Sequence, residues 1–290
     1  MKKLRTGALA TAMIAGAMPA FAADLYQPEV VQAPPAVIEQ PTMIAESSSD
    51  WGDGWYIRGD IDYHRTALRG THYITYGTPG GTNQFARTEL KDSFSVGAGI
   101  GYNISKYIRA DITADYWMKA DFRGRTVGTC GTPPAPCVSS DKGGLSALVV
   151  LANAYVDLGT YHGITPYVGA GIGAAQVKWD KLRNTVGGVT TTHRGDTSGR
   201  MAWALMAGAS YCLTDKAELD LGYRYTRISG GRMFQYAPAA GPGFDDGMHV
   251  HEVRAGLRYS FGNKGASTRC APSPQVVSYQ PEPQPLPVYK

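Results

Sequence analysis

The stretch His251-Glu252-Val253-Arg254-Ala255-Gly256-Leu257-Arg258-Tyr259-Ser260-Phe261 sets apolar side chains at every second position from Val253 and places Glu252, Arg254, Gly256, Arg258 and Ser260 between them. A period of two marks an extended strand whose two faces meet different surroundings. One face ends in two aromatics, Tyr259 and Phe261, while the other carries three charges. Taken alone, the segment suits a soluble sheet or a membrane one. The rest of the chain decides between them.

Moving outward, the same alternation recurs over residues 55–64, 94–103, 108–119, 145–158, 165–179, 203–211 and 217–225, which with the last strand makes eight. Each is long enough to cross a hydrocarbon core at a tilt. Short turns at 104–106, 159–163 and 214–215 join three of the pairs, and connections of about 19 to 28 residues join the other four. Short turns on one side and long loops on the other are the pattern of an outer-membrane barrel. An even strand number puts both ends of the barrel on the short-turn, periplasmic side.

The faces are inverted relative to a soluble protein. Charges gather on one face at Arg58, Asp60, Asp62, Arg109, Asp111, Asp115, Lys119, Glu218, Asp220, Arg224, Glu252, Arg254 and Arg258, with the two signs nearly balanced. The opposite face is aliphatic with aromatics toward its ends: Trp55, Tyr102, Tyr211, Tyr259 and Phe261 at one rim, Tyr63, Phe94, Tyr116, Trp203 and Tyr225 at the other. Aromatic girdles around an aliphatic band suit contact with lipid. The balanced charges then fill a lumen that eight strands make only wide enough for side chains. A lipocalin-like barrel would have the reverse polarity. The expected fold is therefore all-β: an eight-stranded antiparallel up-and-down transmembrane β-barrel with disordered N- and C-terminal periplasmic segments.

Val-Gly-Ala-Gly-Ile-Gly occurs twice, at 96–101 and 168–173, with the glycines on the lumen face where long side chains need room. The spacing lacks the GxGxxG of a dinucleotide loop, so no nucleotide is implied. A mean hydropathy of −0.23 also excludes a bundle of transmembrane helices.

The closing pattern Val253, Ala255, Leu257, Tyr259 and Phe261 is similar to the C-terminal assembly motif of bacterial outer-membrane barrels. Gly54-Trp55-Tyr56-Ile57, Thr165-Pro166-Tyr167-Val168-Gly169-Ala170-Gly171 and Leu221-Gly222-Tyr223-Arg224-Tyr225 resemble segments of the small opacity-type surface barrels, most of all the alphaproteobacterial outer-membrane surface antigens. The resemblance covers about residues 54–261 and departs from the family in the proline-rich tail after Phe261. It implies insertion by the barrel assembly machinery, exposed loops, and a role in envelope integrity, adhesion or slow diffusion.

The ends of the chain carry addresses rather than fold. Lys2, Lys3 and Arg5 precede a small apolar core at 7–17 and then Ala20-Phe21-Ala22, a secretory signal cut before Ala23. Its removal lowers the formal net charge from +4 to about +1. Residues 23–53 form an acidic Pro/Ser linker, and 262–290 a tail closing on Pro281-Glu282-Pro283-Gln284-Pro285-Leu286-Pro287, which favours extended polyproline geometry and can reach toward the cell-wall peptidoglycan. The barrel domain is 54–261.

Cys130 and Cys137, bent toward each other by intervening prolines, read as a loop-stapling disulfide in an oxidising compartment. Cys212 and Cys270 would both be periplasmic. The sequence favours two free thiols there, with a second disulfide tucking the tail under the barrel as the alternative. His249 and His251 share one face near the outer rim and read as interfacial residues; metal binding and lipid-modifying catalysis are the rival readings. The long loops hold 13 basic and eight acidic residues, which points to lipopolysaccharide phosphates or an anionic host surface. The expectation is a non-enzymatic barrel displaying four loops in a structural or adhesive role, without cofactor or metal and without nucleic acid as a partner. A narrow porin-like channel for small solutes is the alternative, and a lipid-modifying enzyme a weaker one.

Overall fold

A computed structural model of the chain describes residues 54–76, 80–238, 240–261 and Cys270. The signal residues Ala20, Ala22 and Ala23, the linker and all of the tail except Cys270 lie outside the described residues. Eight long strands form the wall: β1 Trp55–Leu68, β2 Ser93–Asn103, β3 Ile108–Arg125, β4 Ser140–Asp157, β5 Ile164–Trp179, β6 Thr197–Cys212, β7 Ala217–Phe234 and β8 Ala240–Ser260. Each pairs antiparallel with its sequence neighbours. The ring closes where β1 meets β8, in a register running from Tyr56 opposite Ser260 to Leu68 opposite Met248. Phe261 then donates its backbone N–H to the Trp55 carbonyl at 2.9 Å.

The alternation read from the sequence is the alternation of the wall. Ile61, Ile112 and Val253 face outward at 62, 57 and 66 % exposure, while Asp62, Thr113 and Glu252 beside them are buried. On β3 the apolar outer face runs from Ile108 to Met118, about 33 Å of strand and about 25 Å across the membrane at a tilt near 40°. That is the height of a lipid-facing band.

Two features depart from the sequence reading. The strands continue well past the upper girdle, so much of what was expected as loop is ordered sheet, joined by short strands at Thr71–Thr75, Gly81–Gln84, Arg87–Leu90, Leu182–Val186 and Val189–His193. A β-bulge also interrupts the β3–β4 register between Trp117 and Ala120. It leaves Met118 and Lys119 successively outward and brings Phe122 inside. Lys119 therefore does not belong to the lumen network: one extra residue in the bulge turns it to the outer surface.

The interior has two layers. Below the upper girdle it is charged; above it lies an apolar core that includes Trp117, Phe122, Leu145, Val177, Trp179, Ile228, Phe234 and Met248. The Phe122 and Trp179 rings meet edge to face at 5.4 Å. The polarity reversal has a simple cause. Where lipid surrounds the wall, apolar side chains gain by facing out; where water surrounds it, they gain by facing in.

Candidate functional site

The lower lumen is filled with ion pairs. Arg224 reaches from β7 to Asp115 at 2.7 Å, to Asp62 at 3.3 Å and to Glu252. Arg254 contacts Asp62 and Asp60 at 3.1 Å each and Asp115 at 3.4 Å. Arg58 bridges Asp60 at 2.7 Å and Asp111 at 3.2 Å, and Arg258 bridges Glu218 at 3.0 Å and Asp220 at 3.1 Å. Arg109 pairs with Asp157 at 3.2 Å and stacks its guanidinium over Tyr155 at 4.0 Å and Tyr167 at 4.6 Å. In these pairs the side chains are 3 % exposed or less.

Carboxylates outnumber guanidiniums in this layer, and neutral donors make up the difference. Tyr56 donates to Asp111 at 3.1 Å, Tyr167 to Asp220 at 2.5 Å, and Asn153 to Asp111 at 2.8 Å. Asp157, Asn153, Tyr155 and Tyr167 were not among the expected network residues. The polar alternation Asn153, Tyr155, Asp157 on β4 was the signal that could have found them. Glycine makes the space: a Cβ on Gly101 would stand 2.3 Å from the Tyr56 ring, and one on Gly169 2.5 Å from the Tyr155 ring.

Above the apolar layer the extended strands enclose a cavity of about 380 Å³, with Phe85, Leu182 and Phe234 among its apolar lining and Asp141, Asn184 and His193 among its polar lining. Asp141 accepts from Ser139 at 2.6 Å and from Asn184 at 2.5 Å. At the same end Arg200 pairs with buried Asp245 at 2.7 Å. Burial pushes the Asp245 carboxyl up against the pull of Arg200. On the outer wall Asp180, hydrogen-bonded to Lys119, holds that ammonium above the usual lysine range.

The other sequence-derived residues fall as follows. Val253, Ala255, Leu257, Tyr259 and Phe261 form the outward, lipid-side face at the end of β8. Cys130 and Cys137 are bonded across the hairpin Val127–Cys130/Ala135–Val138, with Cα atoms 5.7 Å apart. Cys212, at the short-turn end of β6, is bonded to Cys270 with Cα atoms 5.6 Å apart, where the sequence favoured free thiols. His249 and His251 face outward; each shares a hydrogen bond with a tyrosine of β7, Tyr225 and Tyr223 respectively.

A closed wall of eight tilted strands, girdled by aromatics and filled by its own side chains, defines a small outer-membrane β-barrel. The chain belongs to the outer membrane protein beta-barrel domain family, which matches residues 41–261. It resides in the outer membrane of a Gram-negative bacterium. An uncharacterized protein of Brucella abortus (strain 2308) is 37 % identical over 283 residues, covering 86 % of this chain and 95 % of that one. A protein of Rickettsia rickettsii (strain Sheila Smith) provisionally named an adhesin is 29 % identical over 173 residues, 57 % of this chain and 74 % of its own. Among solved structures, Neisserial surface protein A aligns over 72 % of this chain and 97 % of its own at 19 % identity, with a TM-score of 0.42.

Proposed function

We propose that this protein is a non-enzymatic display barrel: a membrane-anchored scaffold that holds an ordered β-extension above the outer leaflet as an adhesive or envelope-structural surface. The observation that carries the reading is the pairing of a packed lumen with a second, apolar core beyond the membrane. The first fills the lumen with paired, buried side chains, which favours display over a narrow channel. The second makes the loop side an ordered platform around a polar-rimmed cavity. The provisional adhesin name of the Rickettsia relative points the same way.

Within this reading, residues 1–22 are the export signal, cut between Ala22 and Ala23. Residues 23–53 and 262–290 are periplasmic, the tail reaching toward peptidoglycan. The outward face Val253–Phe261 is what the barrel assembly machinery reads. Lipopolysaccharide surrounds the barrel, and a host surface meets its platform. His249 and His251 serve as interfacial residues.

The test is twofold. Purified barrel in planar bilayers is expected to give no stepwise conductance, and cells expressing it are expected to bind host cells or matrix in a manner lost when the exposed hairpin 127–138 is replaced by a short turn. Steady conductance steps whose ion selectivity is lost on Arg254→Ala would instead establish the channel.

A further inference from the structure

Above the upper girdle, the outward faces of neighbouring strands carry cations in one cross-strand row. Arg123 of β3 stands opposite Lys142 of β4, and Lys142 opposite Arg183 of the strand Leu182–Val186. Glu89 closes the row beside Arg123, and Thr192 closes it beside Arg183. Arg123, Lys142 and Arg183 are all exposed, and none forms an ion pair with a described residue. Like charges set directly opposite on adjacent strands work against the pairing of those strands. An outside anion would turn that repulsion into attraction.

An open groove of about 440 Å³ lies alongside, lined by Lys119, Lys142, Lys181 and Arg183, with Gly143 in its wall and Asp180 as its one carboxylate. Asp180 is already engaged by Lys119 at 2.5 Å, so the remaining cations face outward uncompensated. The neighbouring Gly144 keeps the floor low, since a Cβ there would stand 2.5 Å from the Lys119 side chain. The bulge that expels Lys119 from the lumen is what delivers it to this groove.

Height and direction select the occupant. Lys119 follows the girdle residue Tyr116 by about 10 Å of strand and Arg123 by about 23 Å. At the tilt of a barrel strand this spans the slab just outside the hydrocarbon. The groove opens sideways from the wall, toward the leaflet, where phosphorylated headgroups are already concentrated. Guanidinium forks take phosphate through paired N–H···O bonds, and ammonium groups supply point charges.

We propose that the groove and the Arg123–Lys142–Arg183 row bind the phosphate groups of lipopolysaccharide in the surrounding outer leaflet. The site rests on outer-membrane residence and is independent of the display role. In the experiment, the full barrel in neutral detergent is titrated with phosphorylated lipid A carrying its inner sugars and with the dephosphorylated lipid. Folding of each variant is checked by heat-modifiable gel mobility. The triple variant Arg123→Gln, Lys142→Gln, Arg183→Gln is expected to lose at least about tenfold in affinity for the phosphorylated lipid. The double variant Arg123→Lys, Arg183→Lys, which keeps the charge without the guanidinium forks, is expected to fall between the parent and the triple variant, and added salt should weaken the parent far more than the triple variant. Folded triple variant binding as tightly as the parent would overturn the proposal, as would equal binding of the dephosphorylated lipid. Selective capture of a soluble sulfated glycan, with no effect of the triple variant on lipid binding, would also overturn it and assign the row to an extracellular partner. None of these outcomes depends on whether the loops bind host cells.

Discussion

Arg224 and Lys119 are both cations near an aspartate, and their surroundings make them opposite cases. Arg224 is fully buried and shared among Asp62, Asp115 and Glu252. Its removal would leave three carboxylates at the centre of the lumen with Arg254 as the nearest remaining countercharge. Arg224→Ala is therefore expected to lower stability by about 3–5 kcal/mol, seen as gel-shift unfolding at lower temperature or denaturant. Lys119 pairs with Asp180 at the surface with its side chain 61 % exposed. Lys119→Ala is expected to change stability by less than about 1 kcal/mol. Equal effects of the two substitutions would remove the distinction between lumen and outer wall on which the charge assignment rests.

Among the elements, the disulfide hairpin Val127–Cys130/Ala135–Val138 pairs, among the described residues, only with itself and is exposed along nearly all its length. Reducing Cys130–Cys137, or replacing both residues by serine, is expected to admit protease within 127–138 while the barrel keeps its heat-modifiable shift. Loss of that shift would mean that the hairpin supports the wall. The transmembrane parts of the strands were legible in the sequence because lipid on one side and charge on the other enforce a clean period of two. The extensions were not legible, for a physical reason. Beyond the girdle the apolar side turns inward, so Trp117, Phe122 and Trp179 occupy the face that carries arginine and aspartate below. A pattern that inverts along one strand looks, in sequence, like a pattern that has ended. The bulge at Met118–Lys119 hides the change further by shifting the phase by one residue. The lumen arginines and seven of their carboxylate partners were legible as a set, whereas the individual pairings were not, because several of them, Arg224 with Asp62 and with Asp115 among them, join strands that face each other only once the ring has closed.

For the whole molecule, the decisive contact is the last one made. β1 and β8 bracket the barrel sequence, and Tyr56 opposite Ser260 is the most distant pairing in it. Until β8 is in place, β1 and β7 both present open edges, and Arg224 lacks Glu252 while Asp62 lacks Arg254. A chain lacking 251–261 is expected to accumulate without a heat-modifiable form and to aggregate through those edges, as centrifugation and gel mobility would report. A compact, heat-shifted product from that chain would show that seven strands close by themselves. The seam also orders events in time. Synthesis and export deliver the N-terminal strand first and its partner last, so zippering cannot finish before the entire barrel sequence has crossed the inner membrane. The long sequence separation across the seam is expected to slow closure. It serves as a kinetic checkpoint, withholding the finished state from any chain that ends early.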